Sequence, residues 1–245
     1  QQHFAEYLQF VLDLLQNANF SQSQFDLIRS QQLASLNRPY TEPQTVAGLS
    51  LARLTERYAP DDLRFHFEPE RAKLALQQLR REDVIALYNR VLGAQHAQVA
   101  VTGVVDAAAI KSILQQRLQP WQKPAAYAYI GEDYTAFNAQ QLHVQAEPRE
   151  FGFYLSLLTL PVGVDHRDAA ALIVMNHILG GSQLSSRLAK TLREAQGLVY
   201  GFSSDLSLDS VNNVGSLSVS ANYSAGKAEQ IQRAVMQVIN DLRKN

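Results

Sequence analysis

An arginine and a tyrosine seven positions apart, Arg193 and Tyr200, are the residues whose types and spacing point most directly to chemistry. Gly197 lies between them, and glycine ends helices because it enters the left-handed conformation without steric penalty. We therefore expect Arg193 in the last turn of a helix, where its charge suits the negative end of the helix dipole. Tyr200 would then begin the next strand. A guanidinium and a phenol held on either side of such a turn could bind a peptide carbonyl or stabilise a developing oxyanion.

The same two residue types also have an ordinary structural explanation. An arginine at the end of a helix is usually a solvated charge or a surface salt-bridge partner. A tyrosine that begins a strand usually packs against its neighbours. Residue types and spacing alone leave the functional and the structural interpretation open.

The histidine spacing excludes the helical zinc motif His-x-x-Glu-His, which places two histidines four apart on one helix face. No two of the six histidines are four apart: His3, His66, His96, His143, His166 and His177. With no cysteine in the chain, thiolate zinc sites, disulfides and cysteine nucleophiles are also excluded. We therefore predict no metal site in this chain.

Two histidines need a separate interpretation. The run His3-Phe4-Ala5-Glu6-Tyr7 has a tyrosine where the second histidine of the zinc motif would stand, and we interpret it as a coincidence. His177 precedes Ile178 on an apolar helix, and we expect it to be a hydrogen-bonded core residue.

The composition is that of a soluble globular protein of 245 residues, with 46% hydrophobic and 18% charged residues. A net charge of -1 provides no basic face for nucleic acid, and no apolar run reaches the length of a membrane span. We therefore expect neither nucleic acid nor a membrane as partner. No signal peptide opens the chain, which starts at Gln1 rather than methionine, so we expect a fragment or a processed product. A cytoplasmic and a bacterial-type periplasmic location both remain open.

Hydrophobic periodicity predicts helices over about 4–17, 23–36, 44–57, 82–92, 106–118, 168–179 and 226–243. It predicts strands over 97–105, 151–160, 198–208 and 214–222, of which 151–160 reads as buried on both faces. In the last strand Leu217, Val219 and Ala221 alternate with serines, so one face should be apolar and the other wet. Ser182 is expected to cap a further helix on which Leu184, Leu188 and Leu192 form one buried stripe.

The stretch 119–148 is predicted to be a linker, because its periodicity is weak and it contains Pro120, Pro124 and Pro148. The run from Ala5 to Gln9 is echoed 223 residues later by the run from Ala228 to Gln232, and both open amphipathic helices. If this echo marks a repeat, residues 1–118 are the C-terminal part of one repeat. Residues 149–245 are then the N-terminal part of the next repeat and carry the Arg193 and Tyr200 motif.

The run around Arg193 and Tyr200 resembles a signature of the pitrilysin/insulinase family of zinc metallopeptidases, the inverzincins. The resemblance rests on a glycine loop, Ser-Arg-Leu, Leu-Arg-Glu and Gly-Leu-x-Tyr, which here are Leu179-Gly180-Gly181, Ser186-Arg187-Leu188, Leu192-Arg193-Glu194 and Gly197-Leu198-Val199-Tyr200. Upstream, Leu79 to Val105 is similar to the family segment in which a helix leads into a strand. The resemblance covers most of the chain and is specific in 151–223.

The resemblance implies an α+β fold with antiparallel sheets and helices packed on one face, here as two part-domains of the pitrilysin-like repeat. It implies that Arg193 and Tyr200 belong to a non-catalytic half and help hold the scissile peptide in an enclosed chamber. Gly180, Gly181, Ser186, Arg187 and Gly197 are the supporting motif residues. Zinc is then expected in a catalytic half, in the same polypeptide or a separate subunit, which together with a peptide substrate is the expected partner. The parent protein would be a zinc metalloendopeptidase, and this chain alone would be inactive because it lacks His-x-x-Glu-His.

Two other interpretations remain. The chain could be a structural or scaffolding homologue with no peptidase role, of the kind that this family contributes to respiratory complexes; retention of both Arg193 and Tyr200 favours the peptidase interpretation. It could also be an unrelated α+β binding module whose Gly180-Gly181-Ser182 loop binds an anion at a helix start. That loop lacks the lysine of a phosphate-binding loop.

Overall fold

The structure is a computed structural model that describes residues 3–37, 41–66, 68–123, 125, 128–145, 150–182, 184–195 and 197–244. The chain divides into two compact units. The first unit comprises residues 1–38 and 69–130, and the second comprises 39–68 and 131–245. One boundary between the units therefore lies inside the predicted linker 119–148, of which Pro124 and Pro148 fall outside the described residues. The assignment of 1–118 and 149–245 to successive repeats stays a prediction.

In chain order the helices preceding the first strand are α1 (Phe4–Gln16), α2 (Gln22–Leu36), α3 (Pro43–Leu54), α4 (Pro69–Gln78), α5 (Arg81–Val91) and α6 (Ala107–Leu118). All belong to the first unit except α3, and five of the six were predicted within a few residues. Helix α4 was missed, although Pro69 and Glu70 are typical of a helix start. Its two leucines, Leu74 and Leu76, are two positions apart rather than three or four, so the sequence lacks the apolar stripe on which the prediction of helices depends.

Two helix pairs organise the first unit. Helices α1 and α6 are joined by Gln16, whose Nε2 donates to the carbonyl of Arg117 at 2.7 Å and whose Oε1 accepts from Arg117 Nη2 at 2.7 Å. Helices α2 and α4 pack together, and Arg29 Nη1 donates to the carbonyl of Leu79 at 3.2 Å. Leu12 and Ile110 are the buried apolar side chains of this unit among the described residues.

The predicted strand 97–105 is wrong. Residues 97–102 have no regular secondary structure, and among the described residues no neighbouring strand pairs with them. Alternation of Ala97, Val99 and Val101 can favour a strand, but a strand is stable when a neighbour satisfies its backbone groups.

The second unit is built on a three-stranded antiparallel sheet of β1 (Phe151–Leu160), β2 (Val199–Leu208) and β3 (Gly215–Ser224), in the order β1-β3-β2. All three strands were predicted, and the expected α+β class with antiparallel strands is confirmed. Between β1 and β2 lie α7 (Ala169–Asn176) and two π-helical stretches, π1 (His177–Gly181) and π2 (Ala189–Ala195). Helix α8 (Ala228–Lys244) follows β3.

One face of this sheet carries the core. Val219 and Ala221 of β3 and Phe202 of β2 are buried against Ile231 and Val235 of α8, whose exposed fractions are both 0%. Leu179, Leu188, Leu192 and Leu198 complete the same cluster. The predicted alternation in β3 is therefore confirmed, since its serines lie on the opposite face and none of Ser216, Ser218 and Ser220 is buried.

Strand β1 was expected to be buried on both faces, and this is wrong, because no residue of β1 is buried. Its position at the edge of the sheet explains the difference. An apolar run such as Phe151–Leu160 is typical of a buried strand but does not reveal whether other layers cover it. Leu157 and Leu158 remain 37% and 57% exposed.

Candidate functional site

Arg193 is placed by a helix that ends in a glycine cap. It lies in the last turn of π2, and Gly197 has φ of +55°, in the left-handed region where glycine is favoured. The amide of Gly197 donates to the carbonyl of Arg193 at 3.2 Å, and the amide of Leu198 donates to the carbonyl of Leu192 at 2.8 Å. These bonds satisfy carbonyls at the helix end and set the direction in which the chain enters β2.

Tyr200 is placed by an irregularity at the start of β2. Val199 pairs with Tyr223 and Gly201 pairs with Asn222, so the register shifts across Tyr200 as in a β-bulge. The extra residue allows Val199 to point into the core, where it is 9% exposed, while Tyr200 is 77% exposed. The Tyr200 hydroxyl lies 3.1 Å from Ser224 Oγ, on the face of the sheet opposite the core.

Both candidate side chains are exposed although their chain neighbours are immobilised. Leu192 before Arg193 is 0% exposed, and Leu198 before the bulge is 2% exposed. The Arg193 guanidinium has no hydrogen-bond or ion-pair partner among the described residues. The arrangement presents two hydrogen-bond donors from backbone positions that the core holds in place.

Of the motif residues, Gly180 is required by close packing. A Cβ at this position would lie 2.6 Å from Ser204 Cβ and 2.7 Å from Leu188 Cδ1. A Cβ on Gly181 would lie 3.2 Å from the carbonyl oxygen of Asn176, which is a tight but less severe contact. The glycine pair therefore brings the end of π1 against β2, and Gly180 is the more restrictive of the two.

Ser186, rather than Ser182, caps the next helix. Its Oγ accepts from the amide of Ala189 at 3.2 Å, and the residue is 1% exposed. Ser182 Oγ lies 2.8 Å from Ser185 Oγ instead, so the predicted cap at Ser182 is wrong. Leu184, expected in the buried stripe, precedes the helix and is 79% exposed, whereas Leu188 and Leu192 are fully buried as predicted. Arg187 is half-buried in the first helical turn.

The histidine expectations are tested in part. His177 is exposed on the outer side of π1, so the expectation of a core histidine is wrong. His3 Nδ1 lies 3.0 Å from Glu6 Oε2, and both side chains are mostly exposed. Within the described ranges, no group of three or more histidine, aspartate or glutamate side chains is arranged to hold a metal ion. The described side chains of this chain therefore do not fit a zinc site.

Sequence reasoning missed a cavity of about 280 Å³ in the second unit, which is lined by both polar and apolar side chains. Thr159 of β1, Ser207 of β2 and Ser216 of β3 line it, and these residues share one cross-strand row on the face opposite the core. Arg57 Nη2 donates to Glu132 Oε1 at 2.8 Å and to the Tyr58 hydroxyl at 2.7 Å. No motif links residues so far apart in sequence, so the sequence contained no signal for this cavity.

Asp209, beside this cavity, is held by the turn between β2 and β3. Its Oδ1 accepts from the amides of Asn212 at 2.6 Å and Val211 at 2.7 Å. These backbone hydrogen bonds, that of Asn212 first, hold the pKa of Asp209 below its usual value. The carboxylate therefore stays charged and shapes the turn at this end of the sheet.

Across the parts of the chain that the structure describes, no helix combines the length and the apolar composition needed to cross a bilayer.

Comparison with known proteins gives a family match over the region that holds these residues. The model of the peptidase M16 inactive domain matches residues 78–245, which include Arg193 and Tyr200. An uncharacterised zinc protease, YmxG of Bacillus subtilis (strain 168), is 30% identical over 109 residues. That match covers 44% of this chain and 25% of the relative.

Solved structures share the fold. A peptidase M16 inactive domain from Pseudomonas fluorescens has a TM-score of 0.76 at 20% identity, over 98% of this chain and 56% of that one. A protease from Helicobacter pylori has a TM-score of 0.74 at 17% identity, over 100% of this chain and 58% of that one. The periplasmic protease PqqL from Escherichia coli has a TM-score of 0.64 at 17% identity, over 89% of this chain and 23% of that one.

The chain spans a quarter of the length of the matched curated relative and little more than half of the first two solved structures. The family match covers more than half of the chain, and the α+β architecture agrees with that of the solved inactive domain. The chain therefore belongs to the family of peptidase M16 inactive domains, the non-catalytic domains of zinc-protease-like proteins.

Proposed function

We propose that this chain is the substrate-clamping, non-catalytic part of a zinc-dependent metallopeptidase that hydrolyses peptides in an enclosed chamber. The observation that carries the proposal is the placement of Arg193 and Tyr200. Each is exposed next to residues that the core buries, one on a glycine-capped helix end and the other on a β-bulge. The partner would be a zinc-bearing catalytic half, in the same polypeptide or in another subunit.

The chemistry of the two side chains fits the needs of peptide hydrolysis. Attack of water on a peptide carbonyl converts a neutral oxygen into an oxyanion, and donors aimed at that oxygen lower the barrier. In the proposed assembly the zinc half supplies the activated water. The Arg193 guanidinium offers several N–H donors and the Tyr200 phenol offers one O–H. Because their backbones are held by the core, little ordering would be required when the peptide binds.

The test measures peptide cleavage by the complete assembly of this chain with its zinc-bearing half. Arg193→Ala and Tyr200→Phe should each lower turnover of unstructured peptides roughly 10- to 1000-fold, the scale of losing one oxyanion donor. The matched controls are Arg243→Ala in the last turn of α8 and Tyr7→Phe on α1, where the tyrosine is 65% exposed. Both controls should leave turnover unchanged.

Unchanged turnover in both Arg193→Ala and Tyr200→Phe would contradict the proposal that these two side chains hold the peptide during hydrolysis. Absence of cleavage by the wild-type assembly, with stable association of its parts, would instead favour the scaffolding homologue. Measuring association by analytical ultracentrifugation beside turnover separates these two outcomes.

A further inference from the structure

On β2 and β3 the sheet face opposite the core is lined by neutral polar side chains, whereas Phe153, Leu155 and Leu157 of β1 lie on the same face and are apolar. On this face lie Ser203 and Ser207 of β2 and Ser216, Ser218, Ser220, Asn222 and Ser224 of β3, as the strand registers show. We call it the open face, because none of these residues is buried. Tyr200 joins it at one end through its contact with Ser224 Oγ. Hydroxyl and amide groups can hydrogen-bond a peptide backbone without regard to its side chains.

Asp205 interrupts this neutral surface with a carboxylate. It lies on β2 opposite Ser218 of β3, and it is exposed. Ser203 Oγ donates to Asp205 Oδ2, which leaves Oδ1 for another donor. A single exposed carboxylate among hydroxyls would distinguish the side chains of a bound peptide by their charge at that one position.

At the Tyr200 end the proposed function places Arg193, whose guanidinium has no partner among the described residues, whereas the charged groups at the other end are engaged. At the far end, beyond Ser207, Arg57 is paired with Glu132 at 2.8 Å. Asp209 accepts from the backbone of its own turn, so its negative charge adds to the field of Asp205 without competing for a donor. Away from the Tyr200 end, the charge that a peptide on β2 and β3 would meet is therefore negative.

The distance between Asp205 and Tyr200 determines which residue of a bound peptide would lie beside Asp205. Five positions separate them on β2, which at a rise of about 3.3 Å per residue amounts to roughly 16 Å. An extended peptide covers that distance in about five residues. We propose that Asp205 is a specificity-determining residue that selects a lysine or arginine side chain about four to six residues from the cleaved bond. This inference rests on the proposed function, since it takes Tyr200 as the marker of the cleaved bond.

The test uses pairs of peptides that share a single cleavage site and differ at one position, where one peptide has lysine and the other has glutamine. In successive pairs this position is moved along the peptide, on both sides of the cleavage site. The complete assembly should cleave the lysine peptide with a kcat/KM roughly two- to five-fold higher at one position about four to six residues away, the scale of an exposed charge pair. Asp205→Asn should abolish this ratio, and Asp205→Lys should invert it in favour of a glutamate peptide. Raising the salt to about 1 M should shrink it, because exposed charges are screened.

The matched control is Glu229→Gln, which removes an exposed carboxylate from the first turn of α8, the helix that packs on the core face. It should keep the full lysine preference. A lysine preference that survives Asp205→Asn, or that Glu229→Gln reduces equally, overturns the inference. Failure of the proposed function has a different result, because Arg193→Ala would then leave the turnover of every peptide unchanged.

Discussion

Arg193 and Tyr200 share a local design in which an exposed side chain follows an immobilised one. Leu192 and Val199 are both buried, so the backbone on each side of Gly197 has little freedom to move. A side chain that must find a developing charge loses less entropy when its backbone is already ordered. The supporting residues of the motif therefore matter for position, and their effect should appear first as a loss of stability.

Gly180→Ala should destabilise the second unit by about 1–3 kcal/mol, the scale of inserting a methyl group into a packed core. The new Cβ would meet Ser204 Cβ at 2.6 Å, and Ser204 is itself buried. Urea unfolding followed by circular dichroism measures the change. The matched control is Gly48→Ala in α3, where a Cβ meets nothing within 4 Å, and there the expected change is a gain of roughly 0.5–1 kcal/mol. Equal effects of the two substitutions would contradict the packing argument.

For single residues, the sequence predicts those features that depend on local stereochemistry alone. Gly197 could be identified as a helix stop because its left-handed conformation is a local property. The exposure of His177 could not, because an apolar helix does not reveal which of its sides meets the sheet. The choice between Ser182 and Ser186 as cap was equally hidden, since both precede Leu188 and Leu192.

Helix π2 connects the glycine loop to β2, and its start depends on one hydroxyl. Ser186→Ala should destabilise the second unit by about 0.5–2 kcal/mol, because the amide of Ala189 loses its acceptor in a buried position. Ser182→Ala should change the free energy of unfolding little, since Ser182 Oγ contacts another exposed hydroxyl. Thermal unfolding of the two variants measures the difference. A larger loss of stability in Ser182→Ala than in Ser186→Ala would indicate that Ser182 caps the helix, as the sequence predicts.

At the element scale, the predictions succeeded where an element carries its own pattern. β3 alternates apolar residues with serines, and α8 places Ile231, Ala234, Val235 and Val238 on one buried side. They failed where the pattern depends on a partner. The segment 97–105 alternates without forming a strand, and β1 is apolar without being buried. Both failures concern which neighbour covers an element, and that is decided by tertiary packing.

For the whole molecule, the proposed function divides the labour between this chain and a zinc-bearing half. The purified chain supplemented with Zn²⁺ should therefore cleave no unstructured peptide, because its sequence has no His-x-x-Glu-His. Fluorogenic peptide assays of the chain alone, of the zinc-bearing half alone and of the two combined measure this. Cleavage is expected in the combination. Zinc-dependent turnover by the chain alone would contradict the assignment of all catalysis to the other half.

The bulge at Tyr200 makes the spacing of the motif as important as its residue types. If one residue were deleted between Gly197 and Phe202, β2 would pair without the register shift, and a tyrosine retained beside Phe202 would occupy a different row of the sheet. A relative could thus keep both the arginine and the tyrosine and still have lost the clamp. Among homologues, a deletion between the arginine and the tyrosine is therefore a better indication of lost peptidase activity than a substitution of either residue.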